Sequence, residues 1–284
     1  MSNNTCQEMP VSELSRYFDL IGYRHEGKPS IAALRELQRC HTHTLPFENL
    51  TPLSGQPVRL DIPSLVDKFT QQRGGYCFEH NLMFRHALDS LGFATRPLLA
   101  RVRANVPPDV VTPRTHLVVL VEAEGETWIA DTGFGKATPT TPLRLVPDLA
   151  QSTPHGRYRL MEDRAGYRLE TEQAGEWAPL YIFEMTPAYM PDFEMGNWYV
   201  STHPNSHFTR DLIAVRTTAR GRQVLHNTRY SVYGIDAEPV VRQLGSVGEI
   251  MVLLQGELCI AADRVPGLHE KIGRIVEQQA LQSA

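Results

Sequence analysis

The chain has 284 residues, and its 42% hydrophobic and 21% charged content is ordinary for a folded globular protein. A formal net charge of −4 argues against a basic nucleic-acid-binding surface. No stretch approaches the roughly 18 apolar residues of a membrane helix, and the first ten residues lack the basic and apolar segments of a secretory signal. We therefore expect a cytoplasmic protein without nucleic-acid or membrane partners.

The cysteines are scattered and include no closely spaced pair: Cys6, Cys40, Cys77 and Cys259. In a chain of this length, such spacing indicates reduced thiols rather than a disulfide scaffold. His41 and His43 follow Cys40 closely, but their spacing matches no common zinc pattern. The sequence therefore predicts no metal site.

The first ninety residues have the periodicity of helices. Ser30 is a candidate N-cap for one helix, and Asp61 is a candidate N-cap for another that carries Pro63 in its first turn. A further apolar periodic run predicts a helix that begins at Cys77 and ends near Leu91. This part of the chain is therefore expected to be a helical region.

The pattern then changes to strands. Runs at residues 98–102, 116–122 and 127–131 predict strands, with a tight turn at residues 124–126. Two more strand-like runs complete this stretch, at residues 167–172 and 180–184. We expect a strand-rich region here.

Three prolines between residues 187 and 204 predict a connector. Beyond it, three runs predict an antiparallel meander: residues 208–217, 222–225 and 229–233. Two helices are expected near residues 247–254 and 268–280. The predicted order is thus a helical region, a strand-rich region and a mixed region.

A cysteine at the start of a helix is the strongest functional signal in the chain. Cys77 follows Gly74 and Gly75, which we expect to let the backbone turn sharply. The partial positive charge of a helix N-terminus favours the thiolate, which is the nucleophilic form. Most single cysteines are small buried hydrophobes, so this interpretation depends on suitable partners elsewhere in the chain.

A cysteine nucleophile needs a base, and the base needs a third group that orients it. His116 begins the most apolar predicted strand, and Asp131 ends the next strand. Because the predicted turn lies midway between them, a hairpin would bring both to the same end. A lone histidine or a lone aspartate before Thr-Gly has ordinary structural explanations. Together they predict an imidazole and a carboxylate that face the Cys77 helix.

These residues resemble a known family, the arylamine N-acetyltransferases. Residues 73–79 (RGGYCFE), ahead of Asn81, resemble its nucleophile motif, and residues 131–135 (DTGFG) resemble its aspartate loop. Residues 46–50 (PFENL), preceded by His41, are similar to its N-terminal signature. Residues 201–208 resemble a later family segment. The blocks follow the family order, whereas the last part of the chain is similar only in general layout.

The resemblance implies an α+β fold with a cysteine-protease-like core. The family plan corresponds to an N-terminal helical bundle at residues 1–90, a central β-barrel at residues 91–198 and a C-terminal α/β lid at residues 199–284. The order of elements predicted from the residues matches that plan.

The resemblance also implies a catalytic triad of Cys77, His116 and Asp131. An acetyl group would pass from acetyl-CoA, the acyl-donor co-substrate, through a Cys77 thioester to an arylamine, arylhydrazine or N-arylhydroxylamine. This activity belongs to xenobiotic metabolism, and we expect a monomer or homodimer. The chain has Thr132, His80 and Leu117 where the family commonly has valine, glutamine and methionine. None of these departures removes a triad residue.

The resemblance also indicates residues that would bind the acceptor and coenzyme A. The resemblance suggests an apolar acceptor pocket formed by Phe47, Val102, Phe134 and Phe208. The chain has no Gly-rich phosphate loop of the usual nucleotide-binding kind. The candidates for coenzyme A contacts are Gly133, Gly135, Ser206 and Thr209. A buried ion pair of Arg73 with Glu48 is expected beneath the cysteine.

Other classes of protein could use the same residues. A papain-like or transglutaminase-like hydrolase uses similar chemistry, because such triads recur on unrelated folds. An amide synthase that closes a macrolactam from a carrier-bound chain is a second alternative. A non-enzymatic binding module would leave Cys77, His116 and Asp131 without a purpose. The family blocks outside the triad favour acyl transfer.

Overall fold

The computed structural model describes residues 12–24, 28–163, 166–235 and 237–283. Cys6 lies outside the described residues. Within these ranges, no helix is both long enough and apolar enough to cross a membrane.

The amino-terminal region is helical, as predicted. Its helices are α1 (Glu13–Ile21), α2 (Ile31–Thr44), α3 (Leu50–Leu53), α4 (Ile62–Thr70) and α5 (Cys77–Ser90). A two-residue strand, β1 (Phe47–Glu48), lies between α2 and α3. The side chains of Ser30 and Asp61 accept backbone hydrogen bonds in the first turns of α2 and α4, which confirms both predicted N-caps.

The central region is a nearly closed, barrel-like sheet. Its strands are β2 (Ala94–Val102), β3 (Arg114–Ala123), β4 (Glu126–Ala130), β5 (Leu143–Arg144), β6 (Gln151–Thr153), β7 (Gly156–Asp163), β8 (Gly166–Gln173) and β9 (Glu176–Phe183). They pair antiparallel in the order β5-β4-β3-β2-β9-β8-β7-β6. The predicted hairpin is present between β3 and β4, and Glu124 and Gly125 both have the positive φ that a tight hairpin turn needs.

Residues predicted to form a connector instead form a helix, α6 (Met190–Thr202). Pro191 lies in its first turn, where a missing N–H breaks no helical hydrogen bond. Asp192 accepts a hydrogen bond from the Tyr189 N–H at 2.8 Å and so closes that turn. The connector prediction was wrong because proline, which breaks a helix in its interior, is compatible with the first turn of a helix. The expected boundary between residues 198 and 199 falls inside this helix.

The carboxy-terminal region combines a second sheet with two helices. Its own elements are β10 (Ile213–Thr218), β11 (Gly221–His226), β12 (Arg229–Gly234), β13 (Val240–Gln243), α7 (Val247–Gln255) and α8 (Leu268–Ser283). The predicted strand at residues 208–217 begins later, because His207–Thr209 form a short 3-10 helix. Strand β1 pairs with β10, so the amino-terminal region contributes the edge strand of this sheet.

Strand β3 is buried on both faces. Leu117 and Val119 belong to the core shared with the helices, whereas Val118 and Leu120 belong to the core inside the barrel. This double burial explains why the strand is continuously apolar rather than alternating. It also fixes β3 against α5.

The loop before α5 contains Gly74 and Gly75, because neither position has room for a side chain. Neither Gly74 nor Gly75 has a positive φ. A Cβ on Gly74 would lie 1.8 Å from the carbonyl oxygen of Pro46, and a Cβ on Gly75 would lie 2.8 Å from the Glu79 side chain. The loop therefore packs directly on the backbone that leads into β1.

We predict that Gly74→Ala lowers the free energy of unfolding by roughly 2–4 kcal/mol, because a backbone carbonyl cannot move aside as a flexible side chain can. The matched control is Gly273→Ala in α8, where the nearest atom to a new Cβ is 3.9 Å away. That change should be neutral or slightly stabilising, because alanine favours helix over glycine. Urea unfolding measures both, and equal stabilities would contradict the steric argument.

Candidate active site

Cys77 is the first residue of α5, where backbone N–H groups have no partner within the helix. The Glu79 carboxylate accepts a hydrogen bond from the Tyr76 N–H at 3.1 Å and closes the first turn. Cys77 is 5% exposed, and its Sγ lies 3.6 Å from the carbonyl oxygen of Thr115 in β3. The helix N-terminus thus brings the thiol to the strand that carries His116.

Three buried charged groups and the partly exposed Lys68 support the loop beneath the thiol. Arg73 Nη2 lies 2.7 Å from Glu48 Oε1, as predicted, and Lys68 Nζ lies 2.6 Å from Glu79 Oε1. Burial alone would raise the pKa of Glu48, but the charges of Arg73 and Lys68 lower it to about 2. The charges of two carboxylates and two cations therefore cancel in a region with little exposure to solvent.

His116 is oriented by Asp131. The distance from His116 Nε2 to Asp131 Oδ2 is 2.8 Å, and the two residues are 2% and 0% exposed. Burial would lower the pKa of His116, but the charge of Asp131, their hydrogen bond and a hydrogen bond with Cys77 together raise it to about 10. Because Nε2 faces Asp131, Nδ1 is the ring nitrogen left for the thiol.

Asn81, one helical turn into α5, connects three elements. Its Nδ2 donates to Asp131 Oδ1 at 3.0 Å and to the Leu117 carbonyl oxygen at 2.7 Å. Its Oδ1 accepts from the N–H and the hydroxyl of Thr132 at 2.8 and 2.9 Å. Burial would raise the pKa of Asp131, but His116, Asn81 and the Gly133 N–H lower it. The amide thus uses its full hydrogen-bonding capacity to hold the carboxylate beside α5.

Comparison with known proteins identifies the family. A family model described as N-acetyltransferase matches residues 30–264. The arylamine N-acetyltransferase of Escherichia coli is 38% identical over 252 residues, which cover 88% of this chain and 89% of that protein. An arylamine N-acetyltransferase / N-hydroxyarylamine O-acetyltransferase of Salmonella typhimurium is 40% identical over 225 residues, covering 78% and 80%. The chain belongs to the arylamine N-acetyltransferase family.

Solved structures of this family share the fold. The arylamine N-acetyltransferase of Mycobacterium marinum superposes with a TM-score of 0.89 at 35% identity, covering 93% of this chain and 99% of that one. The same protein in complex with CoA gives a TM-score of 0.88 at 34% identity, covering 92% and 99%. The predicted α+β architecture, with its helical bundle, barrel and lid, is therefore confirmed.

Two of the predicted pocket residues lie together on one side of the triad. The ring centroids of Phe47 and Phe208 are 6.1 Å apart, and both side chains are partly exposed. A Cβ on Gly135 would lie 3.5 Å from the Phe47 ring, so the aspartate loop borders this aromatic pair. The pair therefore lies next to the loop that carries Asp131.

Of the other two predicted pocket residues, Phe134 borders His116, whereas Val102 pairs with a residue that does. The Phe134 ring lies 4.8 Å from the His116 ring, and Val102 pairs with Tyr181 across β2 and β9. Tyr181 contacts both the His116 ring, at 4.9 Å, and the Phe134 ring.

Tyr181 itself was not predicted as a site residue. It is fully buried, and burial and the nearby charge of Asp131 raise the pKa of its hydroxyl. Among the described residues, that hydroxyl makes no hydrogen bond of normal geometry, and the polar group that acts on it is the Asp131 carboxylate. The apolar run at the end of β9 could have suggested a buried side chain, but no sequence spacing links β9 to Asp131.

The predicted coenzyme residues lie in two places. A Cβ on Gly133 would lie 2.7 Å from the Cys77 Cα, so Gly133 packs against the nucleophile, whereas Gly135 lies next to the Phe47 ring. The hydroxyls of Ser206 and Thr209 instead donate to backbone carbonyls near the end of α6, at 2.6 and 2.9 Å. Among the described residues, no group of three or more His, Cys, Asp or Glu side chains could hold a metal ion.

A cleft of about 820 Å³ opens between the barrel and the second sheet, with Phe134 in its wall. The Arg222 guanidinium is 7% exposed and donates to the carbonyls of Lys136 and Thr138. Its Nε has no partner among the described residues, and Lys136 Nζ lies 4.0 Å above the Tyr233 ring. None of these cationic groups was predicted, because they come together only through the docking of β11 on the loop after β4.

We predict that Asp131→Asn changes the pH dependence of stability. In the wild type, the folded pKa of His116 lies above its ordinary 6.5, so the stabilisation is complete below about pH 6.5 and is lost as pH rises through about 10. Without the carboxylate, burial favours the neutral imidazole and this loss disappears. Urea unfolding between pH 6.5 and 10 measures it, and parallel profiles of the two proteins would contradict the prediction.

We predict that Asn81→Leu lowers kcat/KM by about 100-fold, because it leaves Asp131 and two backbone groups without their partner and misplaces the carboxylate. Thr132→Val removes only one of two donors to the Asn81 oxygen, and should keep activity within about threefold. Steady-state kinetics compare the two variants. A Thr132→Val loss as large as that of Asn81→Leu would refute the assigned role of Asn81.

Proposed function

We propose that the chain transfers an acetyl group from acetyl-CoA to an arylamine, arylhydrazine or N-arylhydroxylamine through a thioester on Cys77. The observation that carries this proposal is the buried line of thiol, imidazole and carboxylate at the start of α5, formed by Cys77, His116 and Asp131. The names of the relatives, which include an N-hydroxyarylamine O-acetyltransferase, support the choice of acceptors.

In the first half-reaction, the Cys77 thiolate, paired with protonated His116, attacks the acetyl carbonyl carbon of acetyl-CoA. The backbone N–H groups at the start of α5 stabilise the oxyanion that develops. The bond between the acetyl carbon and the coenzyme sulfur then breaks, and His116 gives its proton to that sulfur. Asp131 stabilises the imidazolium throughout this exchange.

In the second half-reaction, the acceptor nitrogen or oxygen attacks the thioester carbonyl of acetylated Cys77. His116 accepts the proton of the acceptor as a general base. The bond between the acetyl carbon and the Cys77 sulfur breaks, which leaves the Cys77 thiolate paired with protonated His116. The enzyme thereby returns to its starting state after two acyl transfers at the same acetyl carbon.

The proposed positions of the two substrates differ. The acceptor ring lies against Phe47, Val102, Phe134 and Phe208, with Gly133 and Gly135 giving coenzyme and acceptor access to the thiol. The cleft beside Phe134 suits the anionic part of coenzyme A, because Lys136 and the incompletely paired Arg222 supply positive charge there. To donate to coenzyme A, the hydroxyls of Ser206 and Thr209 must give up their present hydrogen bonds to backbone carbonyls.

The cellular location and the oligomeric state of the protein are part of the same proposal. A net charge of −4 and the free thiols of Cys40 and Cys77 fit a cytoplasmic monomer or homodimer without nucleic-acid or membrane partners.

Intact mass spectrometry tests the reaction. Wild type and Cys77→Ala are exposed briefly to acetyl-CoA, and 4-aminosalicylate is then added. We expect one acetyl adduct on the wild type only, because only it carries the nucleophile, and rapid clearance of that adduct with formation of the N-acetyl product.

Other outcomes would identify the alternatives. An adduct cleared as fast by water as by the amine would indicate a hydrolase. Absence of any adduct, with transfer from a carrier-bound acyl chain, would indicate an amide synthase.

A further inference from the structure

A buried chain of polar rings lies behind the Cys77 helix. The Tyr17 hydroxyl is 2.6 Å from His41 Nδ1, and His41 Nε2 is 2.8 Å from His80 Nδ1. The chain ends where His80 Nε2 lies 3.2 Å from the carbonyl oxygen of Pro46. All three side chains are at most 1% exposed. The chain therefore connects α1, α2 and α5 to the backbone that leads into β1.

The terminal carbonyl fixes the direction of every hydrogen bond in this chain. A carbonyl only accepts, so His80 Nε2 carries the proton that it donates to Pro46. His80 Nδ1 must then accept from His41 Nε2, and His41 Nδ1 must accept from the Tyr17 hydroxyl. Burial lowers the pKa of His80 to about 4 and the pKa of His41 well below its ordinary value, which keeps both rings neutral.

His80 also contacts the side chain that follows this carbonyl. The rings of His80 and Phe47 are nearly parallel, at 7°, with centroids 6.3 Å apart. Phe69 stacks on His80 as well, at 5.7 Å, so the imidazole lies in an aromatic stack. His80 thus holds Phe47 through both the preceding peptide and the ring.

The other neighbours of Phe47 belong to the reacting loops. Its backbone forms a bridge with Gly75, two residues before Cys77, and its ring borders Gly135, four residues after Asp131. The partly exposed ring therefore lies between the loops of the nucleophile and of the carboxylate. Its position decides how much space an incoming acceptor finds there.

We propose that His80 is a positioning residue that sets the location of Phe47, and through it the selection of aromatic acceptors; this rests on the proposed function. Removal of the imidazole leaves the Pro46 carbonyl and the Nε2–H of His41 without a partner and frees the Phe47 ring. The first half-reaction does not need the Phe47 ring, so the effect falls on the acceptor step.

The experiment compares His80→Leu, His80→Gln and the exposed control His86→Leu from the same helix. Readouts are the rate of Cys77 acetylation by acetyl-CoA, and KM and kcat for 4-aminosalicylate and for unsubstituted hydrazine. We expect His80→Leu to raise KM for the aromatic acceptor about fivefold or more, with acetylation rate and hydrazine KM within about twofold. His80→Gln, whose amide can donate to Pro46 and accept from His41, and His86→Leu should resemble the wild type.

A double-mutant cycle tests the path through Phe47. In a Phe47→Leu background, His80→Leu should add little to the aromatic KM, because the positioned ring is already gone. Equal increases in KM for both acceptors, or full additivity of the two substitutions, would overturn the proposal.

Two further measurements keep the proposal testable if His80→Leu does not fold. Tyr17→Phe removes only the far donor and should raise the aromatic KM in the same direction by about twofold; no change would count against the proposal. ¹⁵N NMR of the wild type should find both histidines neutral and protonated at Nε2 at pH 7, and an Nδ1–H tautomer of His80 would refute it. If acetyl-CoA never acetylates Cys77 in the wild type, the proposed function is overturned instead. NMR would then still test the hydrogen-bond directions between Tyr17, His41 and His80.

Discussion

The fold is organised around one fully buried carboxylate, that of Asp131. An isolated buried charge costs several kcal/mol, so its oxygens must be matched by donors and by a positive charge. Those partners are His116 in β3, Asn81 in α5 and the Gly133 N–H of its own loop. Because they come from different elements, the helical region and the barrel are fixed relative to each other. The thiol at the start of α5 is positioned as a consequence.

The loop of the nucleophile is constrained in the same way from its other side. Glu48 pairs with Arg73 beneath the loop, and the loop lies so close to the Pro46 carbonyl that Gly74 tolerates no Cβ. Glu48 belongs to β1, which pairs with β10 of the second sheet. The lid is therefore joined to the nucleophile loop through one short strand. Charge pairing and backbone contact together hold the thiol more firmly than α5 alone could.

Local chemistry in the sequence was sufficient to predict much of this arrangement. The N-caps at Ser30 and Asp61 and the β3–β4 hairpin depend on residues whose preferences act over short or clearly patterned distances. Helix α6 was missed because proline breaks or begins a helix according to position. The cleft cation Arg222 could not be predicted, since it reaches its carbonyl partners only across 84 and 86 residues of chain.

The burial of Cys77 bears on the choice between transfer and hydrolysis. Water in the site would compete with the acceptor amine for the thioester carbonyl. Cys77 is only 5% exposed, and the aspartate loop with Gly133 packs against its backbone. Under the proposed mechanism, coenzyme approaches from the cleft beside Phe134 and the acceptor from the side of Phe47, so the loop at residues 133–135 separates the two approaches. Exclusion of bulk water from both sides would preserve the acetyl group between them and favour the amine as its acceptor.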